Sequence, residues 1–351
     1  MTEREFISNH SYVDIERGEV KAKCSSNIAL VKYWGKYTPQ LPANPSISYT
    51  LTNSLTHTVL EFKKSDKLSV DVYLGDSKQD KFSQRIEKYF LSIKPYVPFI
   101  DRYHYTIHTQ NSFPHSSGIA SSASGFGAVA LCLLEMSELF GEKLTNEQRR
   151  IKASFLARLG SGSACRSLYK GLVVWGEHSE IPQSSDLYAI PFPFEVSTVF
   201  KEMQDTVLLI DEGRKEVSST VGHRLMEGHF YAEARFAEAR KNLSVLSKIL
   251  QTGDLESFGR IVEHEALALH AMMMTSTPAF ILMKPTTLAV IDKLWKFREE
   301  THAHLYFTLD AGANIHLLYP EREKDTAFNF IKDELLKYTK NGNFILDKAL
   351  F

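Results

Sequence analysis

Apolar positions along the chain change period several times, and the changes mark out the elements. Alternation of β-branched or aromatic residues with polar ones predicts strands at 57–62, 68–74 and 103–109. Between the last two, Phe82, Ile86, Tyr89, Phe90 and Ile93 recur at helical spacing, which predicts a helix over 78–93. A turn-rich stretch, 110–118, follows, and the small, apolar run 119–139 reads as a buried helix. A second helix, 146–159, runs into Gly160-Ser161-Gly162-Ser163 and is followed by a strand at 168–175. Residues 182–193 carry three prolines among aromatics and read as a crossing between lobes. Beyond it come a strand at 207–210, three long helical stretches between 222 and 300, a strand pair at 305–309 and 315–319, and a closing amphipathic helix over 321–338. Strands and helices mix without strict alternation, so the expected class is α+β in two lobes, 1–190 and 191–351.

Composition narrows the function classes. The 351 residues are 43% hydrophobic and 24% charged, with 41 basic against 42 acidic side chains. That balance argues against a dedicated nucleic-acid binder, which needs a basic face. The longest apolar run, 126–134, is too short to cross a bilayer, and the first ten residues lack the apolar core of a signal peptide. Three widely spaced cysteines, Cys24, Cys132 and Cys165, suit a reducing compartment. The expectation is a soluble, cytoplasmic protein that engages neither nucleic acid nor membrane.

Candidate chemistry concentrates in four segments. The chain has no GxxxxGK[ST], GxGxxG or GxSxG pattern, and His264 and His270 lie six apart, wrong for a zinc pair on one helix face. Pro114-His115-Ser116-Ser117-Gly118-Ile119-Ala120-Ser121-Ser122-Ala123 places small residues ahead of a helix, which suits either an anion cradle or tight helix packing. Gly160-Ser161-Gly162-Ser163-Ala164-Cys165-Arg166 adds the planar fork of Arg166, matched to a carboxylate or phosphate. Cys165 has no base placed with it in sequence and reads as a packing residue. Asn27 to Lys36 sets two lysines, Lys32 and Lys36, among apolar and aromatic residues. Asp310 ends an apolar strand at a glycine turn, where a turn residue and a catalytic base are equally expected.

Read in order, these segments resemble the GHMP superfamily of small-molecule kinases and, within it, the diphosphomevalonate decarboxylases. The resemblance rests on Lys32-Tyr33-Trp34-Gly35-Lys36, Gly160-Ser161-Gly162-Ser163 with Arg166, and Asp310-Ala311-Gly312 with Asn314. It is supported by Pro42 to Leu51, Val217 to Gly222 and His270-Ala271. It implies an N-terminal lobe like ribosomal protein S5 domain 2, a ferredoxin-like C-terminal lobe, and a cleft between them. It also implies ATP-dependent phosphorylation of a tertiary alcohol, then loss of phosphate and carbon dioxide to give isopentenyl diphosphate, by a homodimer using ATP and Mg2+.

On that resemblance Asp310, Lys32 and Arg166 are the catalytic residues. Tyr33, Trp34, Lys36, Ser161, Gly162, Ser163 and Ser219 bind substrate. Asn111, Gly118, Ile119, Ala120, Ser121, Ser122 and Ala123 bind ATP, and Ser121 reaches the magnesium. The chain departs from the family pattern at His115, at His223 in place of methionine, and at Ala313 in place of proline. The alternatives are an enzyme acting on a related compound such as phosphomevalonate, a plain GHMP kinase, and a catalytically inactive ligand-binding relative.

Overall fold

Two antiparallel-rich sheets organise the chain. The computed structural model describes residues 1–8, 10–113, 120–211, 213 and 219–351. The strands are β1 (Arg17–Val31), β2 (Lys36–Tyr37), β3 (Leu41–Pro42), β4 (Ser46–Lys64), β5 (Ser69–Leu74), β6 (Ser77–Lys78), β7 (Tyr103–Asn111), β8 (Leu172–Trp175), β9 (Ala189–Pro191), β10 (Met203–Leu208), β11 (Tyr306–Leu309), β12 (Ile315–Pro320) and β13 (Phe344–Lys348). The α-helices are α1 (Asp80–Ile93), α2 (Ser121–Leu139), α3 (Asn146–Gly160), α4 (Thr198–Lys201), α5 (Ser219–Arg224), α6 (Ala232–Thr252), α7 (Leu255–Met274), α8 (Pro285–Thr301) and α9 (Lys324–Phe330).

The first sheet runs β6-β5-β7-β4-β8-β9, with β1 along the other side of β4. β5 and β7 pair in parallel across α1, a local βαβ unit inside an otherwise antiparallel sheet. The second sheet, β11-β12-β10-β13, is antiparallel throughout.

β4 alternates buried and exposed residues from Ser54 to Phe62, but its first six residues are all buried. The second half of β1, Ser26 to Val31, is likewise covered on both faces. Polar side chains in this region bond to neighbouring segments: Thr50 Oγ1 donates to Tyr169 O at 2.7 Å. α2 is 19 residues long and by length and hydropathy alone would cross a bilayer, yet most of it is buried against β1, β4 and α3. It is a core helix packed on the first sheet.

Several boundaries differ from the sequence expectation. Leu168 closes a 3-10 stretch, and the strand expected at 168–175 begins at Leu172. The proline-rich stretch contains β9, which pairs with β8, so the chain is still in the first sheet at Pro191. The closing helix breaks into 3-10, α, π and 3-10 segments between Glu321 and Tyr338. After it, β13 returns to pair with β10, and Asp347 accepts backbone N–H bonds from Thr52, Asn53 and Ser54 of β4, each at 2.8 Å.

Candidate active site

The register of β1 against β4 shifts between Ser25 and Asn27 and again between Ala29 and Val31. Such bulges re-aim the residues that follow. Here they deliver Lys32, 2% exposed, to the floor of a cleft. Its N–H donates to Glu265 Oε2 at 2.9 Å, and its carbonyl accepts from Asn44 Nδ2 at 2.9 Å. Glu265 is fully buried on α7 and is gripped in turn by Arg235 and by Asn242 Nδ2 at 2.6 Å. Lys32 Nζ then points to Asp310 Oδ1, 3.1 Å away. Burial pushes the Lys32 ammonium below its usual range, while Asp310 and then Glu265 pull it back up. Asp310 follows β11 immediately; its carbonyl accepts from His270 Nε2 at 3.1 Å and from Gly312 N–H at 2.7 Å. Strand end and helix thus fix both partners.

Arg166 is 3% exposed in the 3-10 stretch after α3. Its Nη1 donates to Ser46 Oγ at 2.6 Å, its Nε to Ser48 Oγ at 3.1 Å, and its Nη2 to Asn27 Oδ1 at 3.3 Å. All three partners are neutral, and among the described residues no carboxylate lies within ion-pair distance. Burial lowers the Arg166 pKa from its usual value. A guanidinium desolvated by neutral acceptors beside a cavity attracts an anionic ligand.

Tyr33, Trp34 and Lys36 line the next part of the cleft with Ser161, Gly162 and Ser163. Gly162 is required by space: a Cβ there would lie 2.7 Å from Tyr33 Oη and 2.8 Å from the Trp175 ring. Tyr33 Oη is buried and has no hydrogen-bond partner among the described residues. Lys36 Nζ donates to Gln40 Oε1 at 2.8 Å, and burial, with Arg85 and Arg224 nearby, lowers its pKa. Ser219 begins α5, and its side chain lies outside the described residues. Cys165 is buried beside Arg166, and burial pushes its thiol up to about 12, which makes it a packing residue and no nucleophile.

Ala120, Ser121, Ser122 and Ala123 also line the cleft. Ala120 caps α2 in the left-handed conformation, φ 39°, and turns the chain into the helix. His115, Gly118 and Ile119 lie outside the described residues. Asn111 does not line the main cleft. It accepts from Thr56 Oγ1 at 2.8 Å and lines an apolar recess of about 90 Å3 formed by Val72, Leu74, Ile107 and Thr109. The recess shares Phe82, Arg85, Ser121 and Ser122 with the cleft, so the two are contiguous.

The cleft has a volume of about 650 Å3 and, among the described residues, is lined by five cations, Lys32, Lys36, Lys81, Arg85 and Arg166, against one acid, Asp310. No cluster of three His, Cys, Asp or Glu side chains suited to a metal occurs among the described residues. His304 bonds Glu323 at 2.7 Å and His264 bonds Glu238 at 2.8 Å, so both histidines have structural partners.

A family model for the diphosphomevalonate decarboxylase-like N-terminal domain matches residues 24–189, and one for the mevalonate 5-diphosphate decarboxylase C-terminal domain matches residues 206–349. The chain belongs to the diphosphomevalonate decarboxylase family. Its GHMP fold is shared with the mevalonate diphosphate decarboxylase of Staphylococcus aureus, at TM-score 0.81 and 28% identity over 95% of this chain and 96% of that one. The Legionella pneumophila enzyme gives TM-score 0.80 and 29% identity, covering 93% and 100%. A structure of MDDEF in complex with MVAPP, AMPPCP and magnesium gives 0.82 and 26%, covering 95% and 97%. Among curated relatives, the diphosphomevalonate decarboxylase of Saccharomyces cerevisiae is 28% identical over 87% of this chain and 78% of its own length. The phosphomevalonate decarboxylase of Haloferax volcanii is 27% identical over 89% and 91%.

The sequence motifs of this family member pointed to Lys32, Arg166 and Asp310, included Asn44 and His270 without giving them a role, and missed the supports Glu265 and Arg235. A signal was present: Glu265 falls on the apolar stripe Phe258, Val262, Leu269 of α7, where a carboxylate needs a buried partner.

Proposed function

We propose that this chain catalyses ATP-dependent decarboxylation of (R)-5-diphosphomevalonate to isopentenyl diphosphate, ADP, phosphate and carbon dioxide, a step of the mevalonate route to isoprenoids. The observation that carries the reading is the lining of the cleft. Among the described residues, five cations suit two polyanionic ligands, and the one acid is held against a buried ammonium at the position a proton acceptor needs.

Asp310 accepts the proton of the tertiary hydroxyl as its oxygen attacks the γ-phosphorus of ATP, and ADP leaves with the electron pair of the broken P–O bond. Lys32 offsets the negative charge gathered there. The tertiary C–O bond then breaks, phosphate leaving with its electrons. The C–C bond to the carboxylate supplies the pair for the new double bond, and carbon dioxide departs. Arg166 orients the carboxylate until that point.

Tyr33, Trp34, Lys36, Ser161, Gly162, Ser163 and Ser219 hold the phosphorylated end of the substrate. The stretch Gly118 to Ala123 carries the ATP phosphates, and the apolar recess beside Asn111 takes the purine. Magnesium, when bound, neutralises the triphosphate. The Ser121 hydroxyl is a hard oxygen suited to it, and the nucleotide's own phosphates supply most of the remaining ligands. Division into lobes near residue 190, assembly as a homodimer and work in the cytoplasm complete the proposal; three buried, unpaired thiols support that compartment.

A second reading, action on phosphomevalonate, is favoured by the Haloferax volcanii relative, which the chain matches over more of its length than the yeast enzyme. The deciding experiment is coupled ADP release with carbon dioxide followed in parallel, offering diphosphomevalonate, phosphomevalonate and mevalonate in turn. Equal ADP and carbon dioxide from the diphosphate supports the first reading. The same result confined to the monophosphate supports the second, and ADP without carbon dioxide refutes both.

A further inference from the structure

His223, on α5, stands where the family pattern has methionine, and the structure gives its ring a defined chemical state. The ring is buried between two aromatic neighbours, 4.3 Å from Tyr33 and 4.6 Å from Trp34, centroid to centroid. Its distance from Trp34 is set by Gly222, where a Cβ would come within 2.5 Å of the indole. Nδ1 accepts the Gly35 N–H at 3.0 Å. A backbone N–H only donates, so Nδ1 carries the lone pair and the neutral ring holds its proton on Nε2. Burial first, then Lys36 and Arg166, pushes the pKa down to about 3, so the ring is neutral at physiological pH.

Among the described residues no group bonds to Nε2, and the ring lines the cleft beside Tyr33 Oη, itself buried and without a partner. Two polar groups with no partner among the described residues thus sit on neighbouring rings in a cleft that Lys36 and Ser161 also line. Methionine at the same place would supply neither a donor nor a fixed direction.

We propose that His223 is a specificity-determining residue whose Nε2–H donates to a phosphoryl oxygen of the substrate's anionic tail. The proposal rests on the functional reading above and deepens it. A neutral donor of this kind adds affinity for a phosphorylated ligand without a further cation, and a substrate lacking the phosphoryl tail gains nothing from it.

The test is calorimetric binding of diphosphomevalonate and of mevalonate to the full chain without nucleotide, for wild type, His223→Met and His223→Gln, with folding checked by circular dichroism. His223→Met is expected to weaken diphosphomevalonate by about tenfold or more, as for a lost hydrogen bond to a charged group, and mevalonate by less than about twofold. His223→Gln, whose amide restores a donor, recovers most of the loss. Binding of the diphosphate to His223→Met within about twofold of wild type overturns the proposal, as does an equal loss for both ligands or a Gln variant as weak as Met. If His223→Met does not fold, Gln alone decides: near wild-type binding of the diphosphate sustains the proposal, and a tenfold loss overturns it. Failure of wild type to bind diphosphomevalonate, or to release ADP with it, refutes the functional reading itself, an outcome separate from any difference among variants.

Discussion

Replacing Asp310 by Asn keeps the shape of the side chain and removes both its charge and its basicity. Lys32 Nζ lies 3.1 Å from Oδ1. At an effective dielectric of about 20 the Coulomb attraction at that distance is about 5 kcal/mol. The Asp310 side chain is 24% exposed, so solvent screens the pair, and the net coupling is about 2 kcal/mol. The ammonium has no such outlet, being 2% exposed and already pushed below its usual pKa by burial. Asp310→Asn should therefore lower the unfolding free energy by about 2 kcal/mol and leave ATP affinity nearly unchanged. Turnover should fall by about 10²–10⁴, the usual contribution of a positioned base. Lys32→Met in the Asp310→Asn background should recover stability without recovering turnover, giving a coupling of about 2 kcal/mol in a double-mutant cycle read by urea unfolding. Turnover in Asp310→Asn within about tenfold of wild type would refute the role of the base, and additive stabilities would refute the electrostatic account of the pair.

Two further predictions concern the other buried cation and the buried imidazole. Arg166→Lys keeps the charge but loses the fork that Ser46, Ser48 and Asn27 hold, and should lower kcat/KM by about 10²-fold, about 3 kcal/mol, in the coupled assay; a value within about threefold of wild type would remove it from the site. His223 has a folded pKa of about 3, below the usual 6.5, so the unfolded chain binds the extra proton and stability falls as pH drops from 6.5 toward 3. Between pH 7 and 5 that loss is about 2 kcal/mol for wild type and is missing from His223→Gln, so the stability difference between them should shift by that amount in urea titrations; a constant difference would contradict it.

The fold was legible where one face of an element meets solvent. The strand at 57–62 announced itself by alternation because β4 is half exposed there. The first part of the same strand, and the end of β1, did not, because both faces are covered and Ser46, Ser48, Thr50 and Asn27 interrupt the apolar signal while remaining buried. Each interruption has a bond to make: three of the four side chains hold Arg166, and the fourth, Thr50, ties the strand to Tyr169 O at 2.7 Å. Lys32 and Asp310 were marked by local motifs, but their pairing spans 278 positions and is made by two different sheets. β13 escaped notice because five residues following a broken helix carry too little periodicity to register.

The bonds from Thr52, Asn53 and Ser54 to Asp347 bear on the order in which the chain can be completed during synthesis. Leu350 N–H adds a bond to Thr50 O, and Gly171 N–H donates to Leu350 O, so residues 347–350 close donors and acceptors offered by β4 and by the residue just before β8. Until those residues leave the ribosome, the backbone of residues 50–54 lacks these partners, close to the serines that aim Arg166. Residues 347–350 thus close, late in chain order, a seam of the first sheet whose other side is laid down about three hundred positions earlier.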